Sequence, residues 1–421
     1  MGRFNINMVD VIQNKKNRLD LSRDELEYAF NGFLKGDIPD YQMSALLMAI
    51  CINGMTERET LDLTDVFIKS GNTLDLSSIK GFKIDKHSTG GVGDKTTLVV
   101  GSIVASLGGK VAKMSGRGLG ITGGTIDKLE SIPGFKTSLT KEEFIKQVDE
   151  IGFAVTSQTD DLVPMDKKVY ALRDVTGTTE SLPLIASSIM SKKIAGGADK
   201  ILIDLKVGRG ALIKDENEGY KLEKIMKTIG KKYGKEVQVL MTNMDVPLGS
   251  MVGNSLEVVE AMLMLQNKID NNFSKLCIEL AAYMTAMEFE TDLDTGRYKV
   301  KEALRTGYAY KKFLEFVSAQ GGDLNGLKIS PNRLEVKSSI NGKLVDINAY
   351  KIGQLSVELG AGRLNKDDKI DHSVGIEIKK QIGELIKYGD VLAVLYYEEK
   401  GCPQIRVSDY FTIETQKQAI R

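Results

Sequence analysis

The sequence predicts an α/β protein that also contains an all-helical part and a β-rich C-terminal part. Residues 1–70 show helical patterning and contain two capping boxes, SRDE and TERE. Further along, short apolar strands alternate with glycine turns and helical segments, which is typical of a parallel sheet with crossover helices. Beyond residue 335 the chain becomes β-rich, as in VLAVLYYEE. We therefore expect all-α, α/β and α+β parts, with a mixed, mainly parallel sheet.

Each element follows from a local pattern. After the linker KSGNTLDLSSIKG, the segments FKID, KVAKM and FAVT are predicted strands. The apolar stretch TTLVVGSIVASLGG and the capped KEEFIKQVDEI are the helices between them. Helical patterning returns in MDKKVYALRDV and SLPLIASSIMSKKIA, then KILIDLKVG and EVQVLMTN resume the strands. Long helical patterns cover residues 255–320, ahead of the β-rich tail.

Composition excludes some classes of protein. The 421 residues contain 57 Lys plus Arg and 57 Asp plus Glu, and this zero net charge argues against a dedicated nucleic-acid binder. The cysteines, Cys51, Cys277 and Cys402, lie far apart, so we expect no disulfide framework and a reducing cytoplasm. No apolar run approaches the length of a membrane span, so we expect no membrane partner.

A repeated motif marks a candidate anion site. KHSTGG starts at Lys86 and KMSGRG starts at Lys113, so two Lys-x-Ser-x-x-Gly motifs lie 27 residues apart. One crossover takes about 30 residues, so both motifs are expected at the carboxyl ends of neighbouring parallel strands, where open sheets bind ligands. The side chains of the two lysines would converge with those of Ser88 and Ser115 on a compact dianion such as phosphate. Ordinary turns with solvated lysines are the alternative.

Hydroxyl and imidazole groups add to this site. Thr97, and Thr125 after the glycine turn TGGT, could donate to an oxyanion or could simply cap helices. The turn that follows, containing Asp127, Lys128 and Glu130, is expected to be solvated. His87 lies between two presumed anion ligands, where a proton donor would be useful, although a structural histidine is the alternative.

A second cluster is predicted on the later helices. Ser188 and Lys192 are four residues apart and therefore share a helix face, and Arg173 lies toward the end of the preceding helix. Together the three side chains could present hydrogen-bond donors to a flat polar ligand. A capped helix pair with solvated cations would give the same spacing.

The motifs resemble those of the pyrimidine-nucleoside and thymidine phosphorylases. The resemblance rests on KHSTGGVGDKTTL, SGRGLGITGGTIDKLESIPGF, YALRDVT, SSIMSKK, DLKVG, PLGSMVGNSLEVVEA and KYGDVLAVLY, and it covers almost the entire chain. It implies a homodimer whose small helical domain is built from two chain segments. The implied parts are a helical domain of residues 1–70 and 163–195, an α/β domain of 71–162 and 196–334, and a C-terminal α+β domain of 335–421.

The resemblance also implies an activity and the residues that perform it. Family members react a pyrimidine nucleoside with phosphate, reversibly, to give the free base and a pentose 1-phosphate, with phosphate as co-substrate and no organic cofactor. Matching the motifs assigns phosphate to Lys86, Ser88, Thr97, Lys113, Ser115 and Thr125. It assigns the base to Arg173, Ser188 and Lys192, with His87 near the 2-carbonyl. His87, Arg173 and Lys192 are the expected catalytic residues.

Three departures from the family pattern concern specificity and a metal. Ile121 and Leu212 stand where many relatives have His and Phe in the base pocket. Some bacterial members bind potassium, and there a hydroxyl residue occupies the position of Lys95. We expect Lys95 to replace that ion by pairing with Glu260; a solvent-facing Lys95 is the alternative. The other residues of this potential potassium site are Gly93, Leu248 and Met251.

The prediction is therefore a cytoplasmic enzyme of nucleoside salvage that accepts uridine, deoxyuridine and thymidine. A thymidine-restricted phosphorylase is one alternative. An anthranilate-type phosphoribosyltransferase would need an acidic metal cluster, and a non-catalytic nucleoside-binding protein would not need the cationic side chains that the chain retains.

Overall fold

The computed structural model describes residues 6–118, 120–159, 161–363, 368–398 and 404–415. It divides into two compact units. The helical unit comprises Met1–Ser78, Gln158–Ile201 and Asp215–Val239, and the α/β unit comprises Ile79–Ser157, Leu202–Lys214 and Leu240–Arg421. Cys402 lies outside the described residues. No described helix is long and apolar enough to cross a membrane.

Helices occupy much of both units. In chain order they are α1 (Met8–Lys16), α2 (Arg23–Lys35), α3 (Asp40–Asn53), α4 (Glu57–Lys69), α5 (Thr96–Ser106), α6 (Thr125–Glu130), α7 (Lys141–Ile151), α8 (Pro164–Thr176), α9 (Leu182–Ala195), α10 (Glu216–Lys232), α11 (Ser255–Leu265), α12 (Asn272–Phe289), α13 (Leu293–Arg305), α14 (Tyr308–Ala319) and α15 (Ala349–Glu358).

Strands are confined largely to the α/β unit. They are β1 (Lys83–Ser88), β2 (Lys110–Ser115), β3 (Phe153–Ser157), β4 (Lys200–Val207), β5 (Glu236–Asn243), β6 (Met251–Gly253), β7 (Arg333–Lys337), β8 (Gly342–Ile347), β9 (Gly375–Ile378), β10 (Leu385–Ile386), β11 (Val391–Tyr396) and β12 (Phe411–Glu414).

The helical unit is stabilised by caps and by a buried ion pair. Ser22 and Thr56 form the predicted capping boxes at the starts of α2 and α4. Glu59, which closes the second box, also accepts hydrogen bonds from the Lys15 ammonium at 2.8 and 3.0 Å. Both members of this ion pair are buried, at 3% and 0% exposure. A buried pair of this kind ties α1 to α4.

The central sheet of the α/β unit has the strand order β3-β2-β1-β4-β5. β1 runs parallel to β2, and β2 runs parallel to β3, as the alternating pattern predicted. Apolar helices such as α5 are buried along nearly their whole length. Phe153 of β3 stacks on Phe316 of α14, with ring centroids 4.3 Å apart. These contacts form the core on which the strand ends are held.

The C-terminal part is α+β. β10, β8 and β12 form a small antiparallel sheet, and β6, β9, β11 and β7 form a second sheet whose pairs are also antiparallel. Helix α15 lies between β8 and β9 in the chain. The predicted fold class, with all-helical, parallel α/β and C-terminal α+β parts, is confirmed.

One difference from the sequence prediction concerns the strand ends. β1 continues past FKID through Ser88, and β2 continues past KVAKM through Ser115. The Lys-x-Ser part of each motif therefore forms the last three residues of its strand, and the glycines follow after the strand has ended. Strand geometry, rather than a flexible loop, consequently sets the direction of these side chains.

Candidate active site

The two glycine loops, residues 86–97 and 113–125, start at neighbouring strand ends. β1 pairs with β2 in the register Lys83 to Lys110 and Ile84 to Val111, an offset of 27 residues. The two motifs are separated by the same 27 residues, so this register continued along the strands sets the two motifs level with each other. Strand alternation places Lys86 and Ser88 on one face of β1, and Lys113 and Ser115 on one face of β2.

Lys86 is buried in a network of carboxylates. Only 2% of the residue is exposed, and its Nζ lies 3.1 Å from Asp204 Oδ2 and 4.0 Å from Asp94 Oδ1. The ammonium also donates a hydrogen bond to the Thr96 hydroxyl. Burial disfavours the charged form, but the two carboxylates outweigh it and raise the pKa of Lys86. Lys86 is therefore a fixed, charged group and not a solvated lysine.

Asp94 organises the turn between β1 and α5. Its carboxylate accepts hydrogen bonds from the Thr96 hydroxyl at 2.6 Å, from the Thr96 backbone N–H at 3.2 Å, and from the Ser88 hydroxyl. Burial acts against ionisation, yet Lys86 and Lys206 hold the pKa of Asp94 well below its usual range. Asp94 thus stays ionised and positions both a predicted anion ligand and its neighbouring lysine.

Four groups of this network were not predicted from the sequence: Asp94, Thr96, Asp204 and Lys206. Thr96, next to the predicted Thr97, is the threonine that contacts Lys86. Asp204 bridges two lysines, because Lys206 Nζ lies 2.9 Å from its other oxygen. These residues lie in the stretches KHSTGGVGDKTTL and DLKVG, and their position in these motifs is the only sequence feature that could have indicated a role.

The second glycine loop begins at Lys113, which is also buried. Its Nζ lies 3.6 Å from Asp85 Oδ1, and 4% of the residue is exposed. Two stretches of the backbone of this loop lie very close together, because a Cβ on Gly124 would lie 2.1 Å from Gly118 N. Only glycine fits there, and the turn ends at Thr125, the first residue of α6.

The remaining predicted ligands differ in exposure. Ser88, Ser115 and Thr125 are half-buried, and Thr97 is 8% exposed within α5. His87 is half-buried in β1. Because side chains alternate along a strand, His87 points to the opposite face from Lys86 and Ser88.

The expectation of a solvated first turn in α6 is wrong. Asp127 is 2% exposed and Lys128 is 1% exposed, while Glu130 is half-buried. The charges are tolerated because each has a partner: Arg363 lies 2.8 Å from Asp127, and Glu257 lies 3.3 Å from Lys128. A pattern of charged residues after a glycine turn did not reveal those partners.

The helical unit contains the second predicted cluster, here called the α8–α9 cluster. Arg173 of α8 is 1% exposed, and its guanidinium donates to the carbonyls of Thr178, Thr179 and Leu184 at 3.1, 2.9 and 3.3 Å. Burial lowers the pKa of Arg173. Three backbone carbonyls thus accept hydrogen bonds from this cation and hold it in place.

Lys192 and Ser188 meet on α9 as the spacing predicted. Lys192 Nζ donates to Ser188 Oγ at 3.1 Å and forms an ion pair with Asp166 at 2.8 Å. Its side chain remains 26% exposed. Tyr170 is a further member of the cluster that the sequence analysis missed: its ring centroid lies 5.7 Å from Arg173 and 5.9 Å from Lys192. An aromatic face beside two cations suits a flat polar ligand.

Lys95 occupies the position considered for a potassium ion. Its Nζ lies 2.5 Å from Glu260 Oε2 and donates to the carbonyls of Leu248 and Met251 at 2.8 and 2.9 Å. With 1% of the residue exposed, Lys95 does not face solvent. A potassium ion does not fit among these groups, because the ammonium already contacts the same oxygens and would repel it.

The backbone around Lys95 is equally close-packed. Gly93 adopts a φ of +77°, and a Cβ there would lie 2.6 Å from the carbonyl oxygen of Leu248.

Ile121 and Leu212, the other departures from the family pattern, are half-buried. Within the part of the chain that the structure describes, no group of three or more His, Cys, Asp or Glu side chains could hold a metal ion.

Comparison with known protein families matches successive parts of the chain. Residues 9–71 match the glycosyl transferase family, helical bundle domain, and residues 80–310 match the glycosyl transferase family, a/b domain. Residues 343–410 match the pyrimidine nucleoside phosphorylase C-terminal domain.

Several named proteins are similar over nearly their full length. A pyrimidine-nucleoside phosphorylase of Geobacillus stearothermophilus is 46% identical over 414 residues, covering 96% of this chain and 95% of that protein. The Bacillus subtilis (strain 168) pyrimidine-nucleoside phosphorylase is 46% identical over 420 residues, covering 98% and 97%. That of Staphylococcus haemolyticus (strain JCSC1435) is 44% identical over 419 residues, with the same coverage.

A solved structure shares the fold. The crystal structure of anthranilate phosphoribosyltransferase from Thermus thermophilus is similar with a TM-score of 0.60, covering 74% of this chain and 99% of that one. At 16% sequence identity, this likeness shows the fold alone.

Proposed function

The chain belongs to the pyrimidine-nucleoside phosphorylase family, and we propose that it catalyses the reversible phosphorolysis of uridine, deoxyuridine and thymidine. The products are the free base and ribose or deoxyribose 1-phosphate. The identity of 44–46% with pyrimidine-nucleoside phosphorylases over nearly the whole chain is the observation that carries this proposal. The enzyme is a pentosyltransferase whose acceptor, phosphate, is a co-substrate.

Phosphate is bound at the two glycine loops. We assign Lys86, Ser88, Lys113 and Ser115 at the strand ends, together with Thr97 and Thr125, as its ligands. The support is the matched register of β1 and β2 and the burial of both lysines. Ammonium and hydroxyl donors in a buried setting form charge-assisted hydrogen bonds, which are the strong ones for a phosphate dianion.

The base is bound by the α8–α9 cluster. Arg173, Ser188 and Lys192 present donors, and the ring of Tyr170, which is 44% exposed, offers an apolar face. As a phosphate oxygen bonds to the sugar C1′, the bond from C1′ to N1 breaks and its electrons pass to the pyrimidine. The charge spreads onto the carbonyl oxygens of the ring. Fixed donors beside those oxygens stabilise the transition state more than the ground state.

His87 is proposed as a donor to the 2-carbonyl of the base. It lies in β1 between the phosphate ligands Lys86 and Ser88, and it points to the opposite face of the strand. Phosphate is already anionic, so the reaction needs no carboxylate base to make a nucleophile.

Base release distinguishes this function from the alternatives. The enzyme is incubated with uridine, deoxyuridine or thymidine, with and without phosphate, and release of the free base is followed. We expect phosphate-dependent release from all three. Release from thymidine alone would indicate a thymidine-restricted enzyme, and no release from any nucleoside would favour a phosphoribosyltransferase or a binding protein.

We further propose that turnover requires no potassium ion. Lys95 supplies the positive charge among Glu260 and the carbonyls of Leu248 and Met251. It thereby ties the first glycine loop, through Gly93, to the segment before α11. Activity measured in potassium-free buffer should equal that in buffer with added potassium, and a strong requirement for the ion would overturn this proposal.

A cytoplasmic homodimer is the assembly we propose. Helix α3 exposes an apolar stripe of Tyr41, Ala45, Met48 and Ile52, which recurs at helical spacing on one face. A second copy of the chain would cover this stripe. Light scattering should report a dimer for the wild type and for Tyr220→Lys on α10, and a monomer for Ile52→Lys. A dimeric Ile52→Lys would exclude this surface.

A further inference from the structure

Helix α11 carries two buried carboxylates one turn apart, and each faces a buried lysine. Glu260 pairs with Lys95, which lies in the first glycine loop directly before α5. Glu257 pairs with Lys128, which lies in α6 directly after the second glycine loop. All four residues are at most 2% exposed. One helix therefore supports both loops, although only the first of these pairs was expected.

The second pair is held by electrostatic attraction and by the backbone. Lys128 Nζ lies 3.3 Å from Glu257 Oε2, and Glu257 Oε1 accepts a hydrogen bond from Gly253 N at 3.2 Å. Glu257 Oε2 accepts no hydrogen bond from the described residues. Burial raises the pKa of Glu257, although Lys128 and Lys95 oppose that rise. Both side chains are buried, so the charges in this site interact strongly.

The Lys128 ammonium lies directly against the glycine turn. A Cβ on Gly123 would be 2.9 Å from Lys128 Nζ, and the ammonium lies 3.4 Å from the Gly124 carbonyl oxygen, to which it donates. The next residue is Thr125, one of the proposed phosphate ligands. The cation consequently fills the space behind the turn, and removing it would let the turn move.

From this geometry we propose that Lys128, held by Glu257, is a positioning residue for phosphate, which rests on the proposed function of the second glycine loop. The Lys128 ammonium contacts Glu257 and the backbone of the glycine turn, so it acts through the backbone of residues 123–125. A shift of about 1 Å in a binding group can cost about a hundredfold in rate. Because the turn that Lys128 supports leads directly into the proposed phosphate ligand Thr125, the effect falls on phosphate.

A merely structural ion pair would behave differently, and the chain offers one as a control. Lys15 and Glu59 form a comparably buried pair in the helical unit, among residues assigned to no substrate. Glu59→Gln should lower thermal stability and leave both Michaelis constants unchanged. Glu257→Gln is the same substitution as Glu59→Gln and removes the same negative charge, but it does so beside the glycine turn.

The experiment measures steady-state kinetics and thermal shift for wild type, Lys128→Met, Glu257→Gln and Glu59→Gln. For Lys128→Met we expect the phosphate KM to rise about tenfold or more, with the uridine KM within about twofold of wild type. Glu257→Gln should change the phosphate KM in the same direction. The rise in Tm that added phosphate produces should shrink in both variants and persist in Glu59→Gln.

Two results would overturn the proposal. One is a phosphate KM within about twofold of wild type in Lys128→Met and Glu257→Gln. The other is an equal rise in both Michaelis constants. If Lys128→Met does not fold, Glu257→Gln decides by the same criteria. Failure of the proposed function itself would appear separately, as a wild type that releases no base, and the phosphate-induced thermal shift would still test the loop.

Discussion

The glycine loops of the α/β unit and the α8–α9 cluster of the helical unit hold their cations in different ways. In and around the glycine loops, each buried lysine has a carboxylate within 4.0 Å: Lys86 has Asp204, Lys95 has Glu260, Lys113 has Asp85 and Lys128 has Glu257. In the α8–α9 cluster, Arg173 donates to three backbone carbonyls, and Lys192 pairs with Asp166 at 2.8 Å but keeps a quarter of its side chain exposed.

This difference matches the different tasks of the two regions. Buried lysines without partners would lose their charge, so the phosphate loops must compensate each one before phosphate arrives. The base, in contrast, develops its charge only in the transition state, and donors that are fixed beside it before the reaction stabilise that charge. Substitutions in the loops should therefore act on phosphate affinity, and substitutions in the cluster should act on turnover.

The largest effect is expected from Lys192→Met. Losing one donor to the departing base should lower kcat about 100- to 1000-fold, with a much smaller change in the phosphate KM. Stopped-time assays of uracil release from uridine provide the measurement. Lys224→Met, which removes an exposed lysine from the same unit, serves as the control and should retain wild-type kinetics. A Lys192→Met enzyme whose phosphate KM rises while kcat stays constant would invert the comparison.

Next in size is the effect of Lys113→Met in the second glycine loop. One charge-assisted hydrogen bond to phosphate contributes about 1.5–3 kcal/mol, so the phosphate KM should rise about tenfold to a hundredfold. Nucleoside KM should change little. Lys110→Met, at the other end of the same strand, is the matched control because its ammonium donates to the Asp149 carbonyl. Equal kinetics for the two variants would contradict the assignment of Lys113.

The sequence predicted the fold class and the positions of the main cations. Spacing was sufficient for the loops, because the 27 residues that separate the two motifs equal the offset between β1 and β2. Spacing was likewise sufficient for Ser188 and Lys192, which share a helix face. The family resemblance is confirmed. It also implied that residues 1–70 and 163–195 form one helical domain, which no local pattern could have indicated.

The counter-charges could not be predicted in the same way. Asp204 and Glu257 come from elements far along the chain, and nothing in their local sequence indicates that they face Lys86 and Lys128. Lys128 was therefore expected on a solvated turn. Burial of a charge is a tertiary property, since it depends on which partner the fold supplies. Periodicity and glycine patterns carry no information about that partner.

A smaller effect is expected from Lys95→Ser. Removing the ammonium leaves Glu260 and two carbonyls facing each other without a cation, so activity should fall about tenfold or more. Added potassium should restore part of that activity, because the oxygen ligands remain and a hydroxyl replaces the competing charge. Lithium, which is much smaller, is the control titration. A variant that is insensitive to potassium would show that these oxygens alone do not define a cation site.

The smallest effect on turnover is expected from Glu59→Gln, because the helical pair Lys15–Glu59 holds no substrate. Burial opposes ionisation of Glu59, but Lys15 and backbone donors lower its pKa below the usual value. A carboxylate with a lowered pKa stabilises the fold above about pH 4.5, and this contribution is lost as the pH falls through the folded-state pKa. At pH 7 the variant should lose about 3 kcal/mol of stability with unchanged kcat. Thermal melts should show this deficit shrinking below about pH 4.5, and a deficit independent of pH would mean that packing, not charge, stabilises this part of the helical unit.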